Sequence, residues 1–375
     1  MIQHLDKLSL ELDKRKENFL YRSLKDRHHL IDFTSNDYFG FARSQKLFDL
    51  INEKNKKINL NGSGGSRLLS GNFEFTEKLE AKIAHYHLSE CALLYNSGYD
   101  ANVGLFSSIL KKDDVIIYDE LIHASVRDGI RLGFAKAFSF KHNNIADLER
   151  LLKKQSSKIY VAVESIYSMD GDVAPLKEIS ELCRHYQAAL IVDEAHSAGI
   201  YGKLGNGLCV EENIHNQCFA RLVTFGKAFG VHGAAILGSN VLIDYLINFS
   251  RSFIYTTALP PHAIISIETA YEYMASNHAQ WKEQLLSNTA YFRELALNYH
   301  LPLGNNCYTA IQTIIILGKE RVRMIAEFLQ NNGFDVRPIM SPTVPEGNER
   351  LRIIIHSFNT KVEIENLIKL LKVKL

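Results

Sequence analysis

The chain has little that could staple it together from outside a hydrophobic core. Its five cysteines (Cys91, Cys183, Cys209, Cys218 and Cys307) are scattered, with no Cys-x-x-Cys pair. Neither a disulfide framework nor a zinc cluster can be read from such spacing, so each is taken as a small buried hydrophobe and no metal is expected. Prolines number only seven, so few points interrupt regular structure. Charge of one sign is also missing: the formal net charge is +1, which removes the electrostatic case for a nucleic-acid or membrane partner. No apolar run approaches the roughly 18 residues of a membrane span. The opening MIQHLDKLSLELDKRKENF alternates charge with leucine and lacks the apolar stretch of a signal peptide, so a cytoplasmic protein is expected. A globular chain of this length buries on the order of three-quarters of its unfolded surface and needs no staple.

What is present is alternation. Residues 1–23, 45–58 and 73–87 read as helices, with a glycine-rich segment, Asn61-Gly62-Ser63-Gly64-Gly65-Ser66, before the third. From Cys91 onward, short apolar runs (92–95, 115–118, 160–163, 188–192, 222–225 and 234–237) alternate with amphipathic stretches such as 175–186. That texture predicts an α/β domain with a mostly parallel sheet covered on both faces. After Pro260-Pro261 it changes to a long helical pattern over 262–299, strands at 311–317 and 350–355, and a helix at 319–331. We therefore expect an N-terminal segment (1–45), a large α/β domain (46–255) and a smaller α+β C-terminal domain (256–375).

In an open parallel sheet, ligands bind beyond the carboxyl ends of the strands. Five apolar runs lead into polar loops there. The first loop, Asn96-Ser97-Gly98-Tyr99, precedes a helical pattern; alone it is an ordinary glycine turn or an anion site at a helix N-terminus. His123 follows the second run and, read alone, is a cap or a satisfied polar residue more often than a functional one. Glu164 to Asp172 is a polar loop with turn residues. Asp193 ends the fourth run, where a buried acid is costly unless something cationic pairs with it. Lys227 sits in Gly226-Lys227-Ala228-Phe229-Gly230, where glycines let the backbone approach a ligand closely. Asp193-Glu194-Ala195-His196 spells a helicase box. The P-loop such a protein also needs is missing, because Gly226-Lys227 lies downstream, is followed by Ala228, and has Arg221 where the first glycine belongs.

In combination these segments resemble the α-oxoamine synthases, a family of fold type I enzymes that use pyridoxal 5′-phosphate (PLP). The resemblance runs from about Asn36 to the C-terminus. It is carried by NDYFGF, GSGGSRLLSGN, YNSGYDAN, IHASVRDGIRL, SMDGDVAPL, VDEAHSAG, TFGKAFGVHGAA, FIYTTALPP and PTVPEGNERLRI. It implies that Lys227 holds the cofactor and then acts as base, that Asp193 pairs with the pyridine nitrogen, and that His123 stacks on the ring. His196 and Ser168 would bond the ring hydroxyl. Ser97, Gly98, Tyr99 and Thr224 would surround the phosphate, with Thr256 or Thr257 added from a second subunit of a homodimer. Arg352 would bind the amino-acid carboxylate, with Arg350 expected on the opposite face of its strand; Asn36, Arg22, Ser66 and Thr343 complete the implied substrate side.

Elementary chemistry agrees with these roles. PLP draws electrons from the substrate Cα into its ring, and that sink works best beside a carboxylate that keeps the pyridine nitrogen protonated. A lysine that forms an imine must lose its proton, which desolvation near a cation favours. An arginine offers a carboxylate a planar fork that lysine cannot. The reaction implied is condensation of L-alanine with pimeloyl-CoA, or the acyl-carrier-protein equivalent, with loss of CO2. Relatives that use glycine with succinyl- or acetyl-CoA, or longer acyl-CoAs, share nearly all the cofactor residues. Ser66 stands where glycine-specific relatives carry threonine, and a smaller overhanging side chain suits alanine. Glu194, in place of a second aspartate, is read as peripheral to the chemistry. A catalytically dead scaffold subunit would usually lack the lysine, and Lys227 is present.

Overall fold

The computed structural model describes every residue except 1, 19, 25, 305, 306 and 342, so the first proline of PTVPEG lies outside the described residues. The chain forms two compact units. The larger comprises Asn36–Leu286 with His356–Phe358; the smaller gathers the chain up to Ser35, Ser287–Ile355 and Asn359–Leu375.

The apolar runs of the larger unit become strands: β1 (Cys91–Tyr95), β2 (Val115–Asp119), β3 (Lys136–Phe140), β4 (Ile159–Glu164), β5 (Ala189–Asp193), β6 (Cys218–Thr224) and β7 (Ala234–Gly238). They form one sheet in the spatial order β1-β7-β6-β5-β4-β2-β3. β7 runs antiparallel to both its neighbours, and every other pairing is parallel. The carboxyl ends of β1, β2, β4, β5 and β6 therefore share one edge of the sheet, as the loop pattern requires. Val115, Ile116 and Ile117 are at most 2% exposed, as strands covered on both faces must be. Helix Gly98–Ile109 supplies Leu105 and Phe106 to the core on one face; burying a side chain of that size stabilises by about 2–3 kcal/mol.

The grouping of the chain differs from the expected boundary near 255. Helix Pro261–Asn298 begins in the larger unit, where Ile264, Ile267, Ala270, Tyr271 and Met274 are buried. Tyr271 packs against Phe225 and Phe229, with ring centroids 5.8 and 4.4 Å away, so this apolar face belongs with the Lys227 loop. The change of texture at Pro260-Pro261 marks a helix start and not a change of core.

The smaller unit holds an antiparallel sheet with Arg350–Ile354 between Arg337–Ile339 and Ile311–Ile315. Ile31–Asp32 pairs with Phe334–Asp335 and ties the N-terminal segment into this unit. Helix Lys361–Lys374 starts from a capping box made by Thr360 and Glu363. The expectation that Arg350 and Arg352 lie on opposite strand faces is overturned. Side chains alternate with period two, so residues two apart share a face. Leu351 and Ile353, wholly buried, take the other face.

Candidate active site

The carboxyl edge of the larger sheet is hollowed into a cavity of ≈ 300 Å³. Its lining includes Asn36, Ser97, Gly98, Tyr99, His123, Asp193, His196, Thr224 and Lys227. That is the lower end of the size range of small-molecule sites. Apart from Asn36, which comes from the loop before Tyr38, these residues reach it from strand ends and from the loops and helix starts that follow the strands.

Lys227 is half-buried in the loop after β6, and its Nζ lies 2.9 Å from His196 Nε2. Nδ1 of the same imidazole is 2.6 Å from the Tyr38 hydroxyl, so the ring is held at both nitrogens. Asp193, at the end of β5, accepts hydrogen bonds from the Ala195 N–H (2.9 Å) and the Asn102 side-chain amide (2.8 Å). That amide also donates to Ser125 Oγ at 3.0 Å, and Ser125 Oγ is 2.7 Å from His123 Nδ1. His123 caps helix Ala124–Leu132 by accepting from the Ser125 N–H. Desolvation pulls its pKa below the usual value, Asp193 opposes this, and Lys227 adds to it. A neutral imidazole presents a flat face without a competing charge.

Ser97 caps helix Gly98–Ile109 by accepting from the Asp100 N–H at 3.1 Å. Gly98 lies so close to β6 that a Cβ there would stand 2.6 Å from Thr224 Cγ2. Thr224 Oγ1 is buried without a protein partner. A helix N-terminus, a glycine that lets the backbone come near, and an orphaned hydroxyl together offer donors to an anion. With Asp193 and Lys227 in the same cavity, the residues fit a phosphate-bearing pyridine aldehyde. Ser97, Gly98 and Thr224 would hold the phosphate, Asp193 the ring nitrogen and Lys227 the aldehyde carbon.

Not every expected residue joins this cavity. Tyr99 is part of the lining, but it is exposed and its hydroxyl donates to Asp128 at 2.8 Å. Ser168 lies in the loop after β4, outside the lining. Thr256 Oγ1 accepts from the Asn96 amide at 3.0 Å, and Thr256 lines a separate hollow with Asn96 and Arg67. The segment before Pro260 is not a strand: Arg251–Ile254 is a short helix, followed by a loop whose Ala258 N–H donates to Gly65 O. Ser66 sits in the glycine-rich turn, its carbonyl accepting from Leu69 and Gly71. Arg22 and Thr343 line a cavity of ≈ 270 Å³ within the smaller unit, and Arg352 is half-buried on the central strand there. Glu194 faces away from the cavity and is wholly buried in an ion pair with Arg221 at 3.2 Å.

Sequence reasoning passed over Tyr38, Asn102, Ser125, Glu164 and His232. Tyr38 and Asn102 lay inside quoted motifs. A signal was available for Asn102, since it falls on the first turns of a helix whose start had been marked. Glu164 is the last residue of an apolar strand, the same position that singled out Asp193.

The chain belongs to the aminotransferase class I and II family, whose model matches residues 28–371. Its architecture is that of the fold type I enzymes, and its cofactor is PLP. The chain is 38% identical over 362 residues to the 8-amino-7-oxononanoate synthase of Emericella nidulans, covering 90% of this chain and 88% of that one. A solved 8-amino-7-oxononanoate synthase from Francisella tularensis superposes with a TM-score of 0.80 at 28% identity, over 92% of this chain and 97% of that chain. A lysine-to-alanine serine palmitoyltransferase from S. paucimobilis, bound to a PLP-myriocin aldimine, superposes with a TM-score of 0.90 at 25% identity, over 100% and 98% of the two chains.

Proposed function

We propose that the protein condenses L-alanine with the pimeloyl thioester of CoA or of an acyl-carrier protein, releasing 8-amino-7-oxononanoate, CO2 and the free thiol in biotin biosynthesis. The observation that carries this reading is the 38% identity, spread over 90% of the chain, to a relative of that name. The structure supports it with a cavity in which a lysine, an imidazole and a buried carboxylate converge. PLP, when bound, supplies the electron sink for the substrate Cα. Lys227 Nζ takes and returns the Cα proton, with His196 2.9 Å away to orient it. Asp193, fixed by two N–H donors, keeps a proton on the ring nitrogen. His123 provides a flat wall for the ring. Arg352 is the proposed carboxylate ligand, and Asn36, Ser66, Arg22 and Thr343 the proposed remainder of the substrate side. We place the protein in the cytoplasm as a homodimer with shared sites. Product mass after incubation of the purified holoenzyme with alanine, glycine or serine and a panel of acyl-CoAs tests the reading. Alanine with pimeloyl-CoA should release thiol fastest and give the mass of 8-amino-7-oxononanoate. Faster release with serine and a long-chain acyl-CoA, or with glycine and acetyl- or succinyl-CoA, overturns it.

A further inference from the structure

The cavity is lined by two acids, Asp193 and Glu164, and they are register partners on the adjacent parallel strands β5 and β4. Partners in register project to the same face of a sheet, so the two carboxyls are neighbours. Their surroundings differ. Both Asp193 oxygens accept a hydrogen bond, from Ala195 N–H and from Asn102. Glu164 is 4% exposed, and its Oε1 is buried without a partner. The other buried glutamates of the larger unit are answered by cations: Glu80 takes both arms of Arg67 at 2.8 and 2.9 Å, and Glu194 takes Arg221. Two carboxylates side by side in a desolvated site cannot both ionise without a large cost, so the one with more donors keeps the charge.

We propose that Glu164 and Asp193 hold a single negative charge between them, with the proton on Glu164, which thereby acts as a positioning residue. The un-ionised acid leaves Asp193 as the one carboxylate of the cavity, and its orphaned edge gives the cavity a hydrogen-bond donor that a second carboxylate could not supply. This goes beyond the proposed reaction and stands whichever amino acid and acyl donor are used. The groups that face Glu164 agree. Burial pushes its pKa up to about 8, Asp193 and the nearby Asp119 add to the rise, and Lys227 and the His123 N–H oppose it. Tyr167, buried three residues further on in the loop that follows β4, is pushed up in turn by burial, Asp119 and Glu164, and stays a neutral phenol.

Infrared difference spectroscopy of the holoenzyme on either side of pH 8 reads the proton directly. Wild type should show the carbonyl stretch of a protonated carboxylic acid at neutral pH that fades as the pH rises through about 8. The band should move when glutamate, and not aspartate, carries a carboxyl carbon-13 label, and Glu164→Gln should lack it. A second readout is unfolding by denaturant. An acid whose folded pKa is raised favours the native state below its unfolded value of 4.5 and loses that advantage as pH rises to about 8. Wild type should therefore lose stability across that window relative to Glu164→Gln. Absence of a titrating carboxyl band in wild type, or a band that follows the aspartate label, overturns the proposal, and neither observation needs the variant to fold.

Discussion

At the scale of single residues, a histidine clamped between two aspartates lies beside the cavity and not in it. His142, just past β3, has Nδ1 2.9 Å from Asp119 and Nε2 2.5 Å from Asp172. Burial would lower its pKa, yet the two aspartates raise it to about 10, so the ring is an imidazolium near neutral pH. It ties the end of β2, four residues before His123, to the loop that carries Ser168. Because the folded pKa lies above the unfolded value of 6.5, the stabilisation is complete below 6.5 and disappears as pH rises through about 10. His142→Gln leaves two carboxylates facing each other and should cost about 3 kcal/mol near neutral pH. Denaturant unfolding should show that gap closing above pH 10. None of this was legible beforehand, because a histidine in Lys141-His142-Asn143-Asn144 reads as loop. Lys227 and Asp193 were legible because a charged side chain at or just past the end of a buried strand needs a reason to be there, whereas His196 was marked only through the family resemblance. Asn102, Ser125 and Glu164 line the same cavity but were given no role, although Asn102 on a marked helix start and Glu164 at a strand end both carried a signal.

Among the elements, helix Gly98–Ile109 forms one wall of the cavity, because its first turn faces it and its flank packs against β6. Gly98→Ala would set a methyl 2.6 Å from Thr224 Cγ2. Relieving that overlap costs about 1–3 kcal/mol, and the helix start must move away from the phosphate it is proposed to hold. PLP affinity, measured by titrating the apoprotein, should fall about tenfold or more, while the far-ultraviolet dichroism stays unchanged. Periodicity revealed this helix and six of the seven strands, since buried parallel strands announce themselves as apolar runs. It missed β3, Lys136–Phe140, of which four residues are exposed. An edge strand, paired on one flank only, has less need to be apolar, so its pattern carries little signal.

For the whole molecule, the open question is how many chains make one site. Thr256 and Thr257 lie outside the main cavity within the single chain, with Thr256 bonded to Asn96. If they serve a partner's phosphate, inactive variants complement each other. One chain carries Lys227→Ala; the other carries Thr256→Ala with Thr257→Ala. Co-expressed under two tags and purified through both, the mixed dimer has one site with all its groups and should recover about half of wild-type turnover. Turnover no greater than the mean of the two mutant homodimers rules out sharing. The change after Pro260 suggested a domain boundary near 255, whereas the contacts divide the chain after Ser35 and Leu286. The exact grouping was hidden because a helix start and a change of core look alike in sequence.

The place of β7 in the sheet has a consequence for how the chain comes to be folded. β7 is the last of the seven strands to leave the ribosome, and it pairs with the first, β1, on one side and with β6 on the other. Until residues 234–238 have been made, β1 has no neighbour in the sheet and its apolar residues, Leu93 and Leu94 among them, have no strand to lie beside. Pairings of such long sequence separation are slow to form. A nascent chain therefore waits with one hydrophobic strand unmatched, open to wrong partners, through the synthesis of more than half of the larger unit.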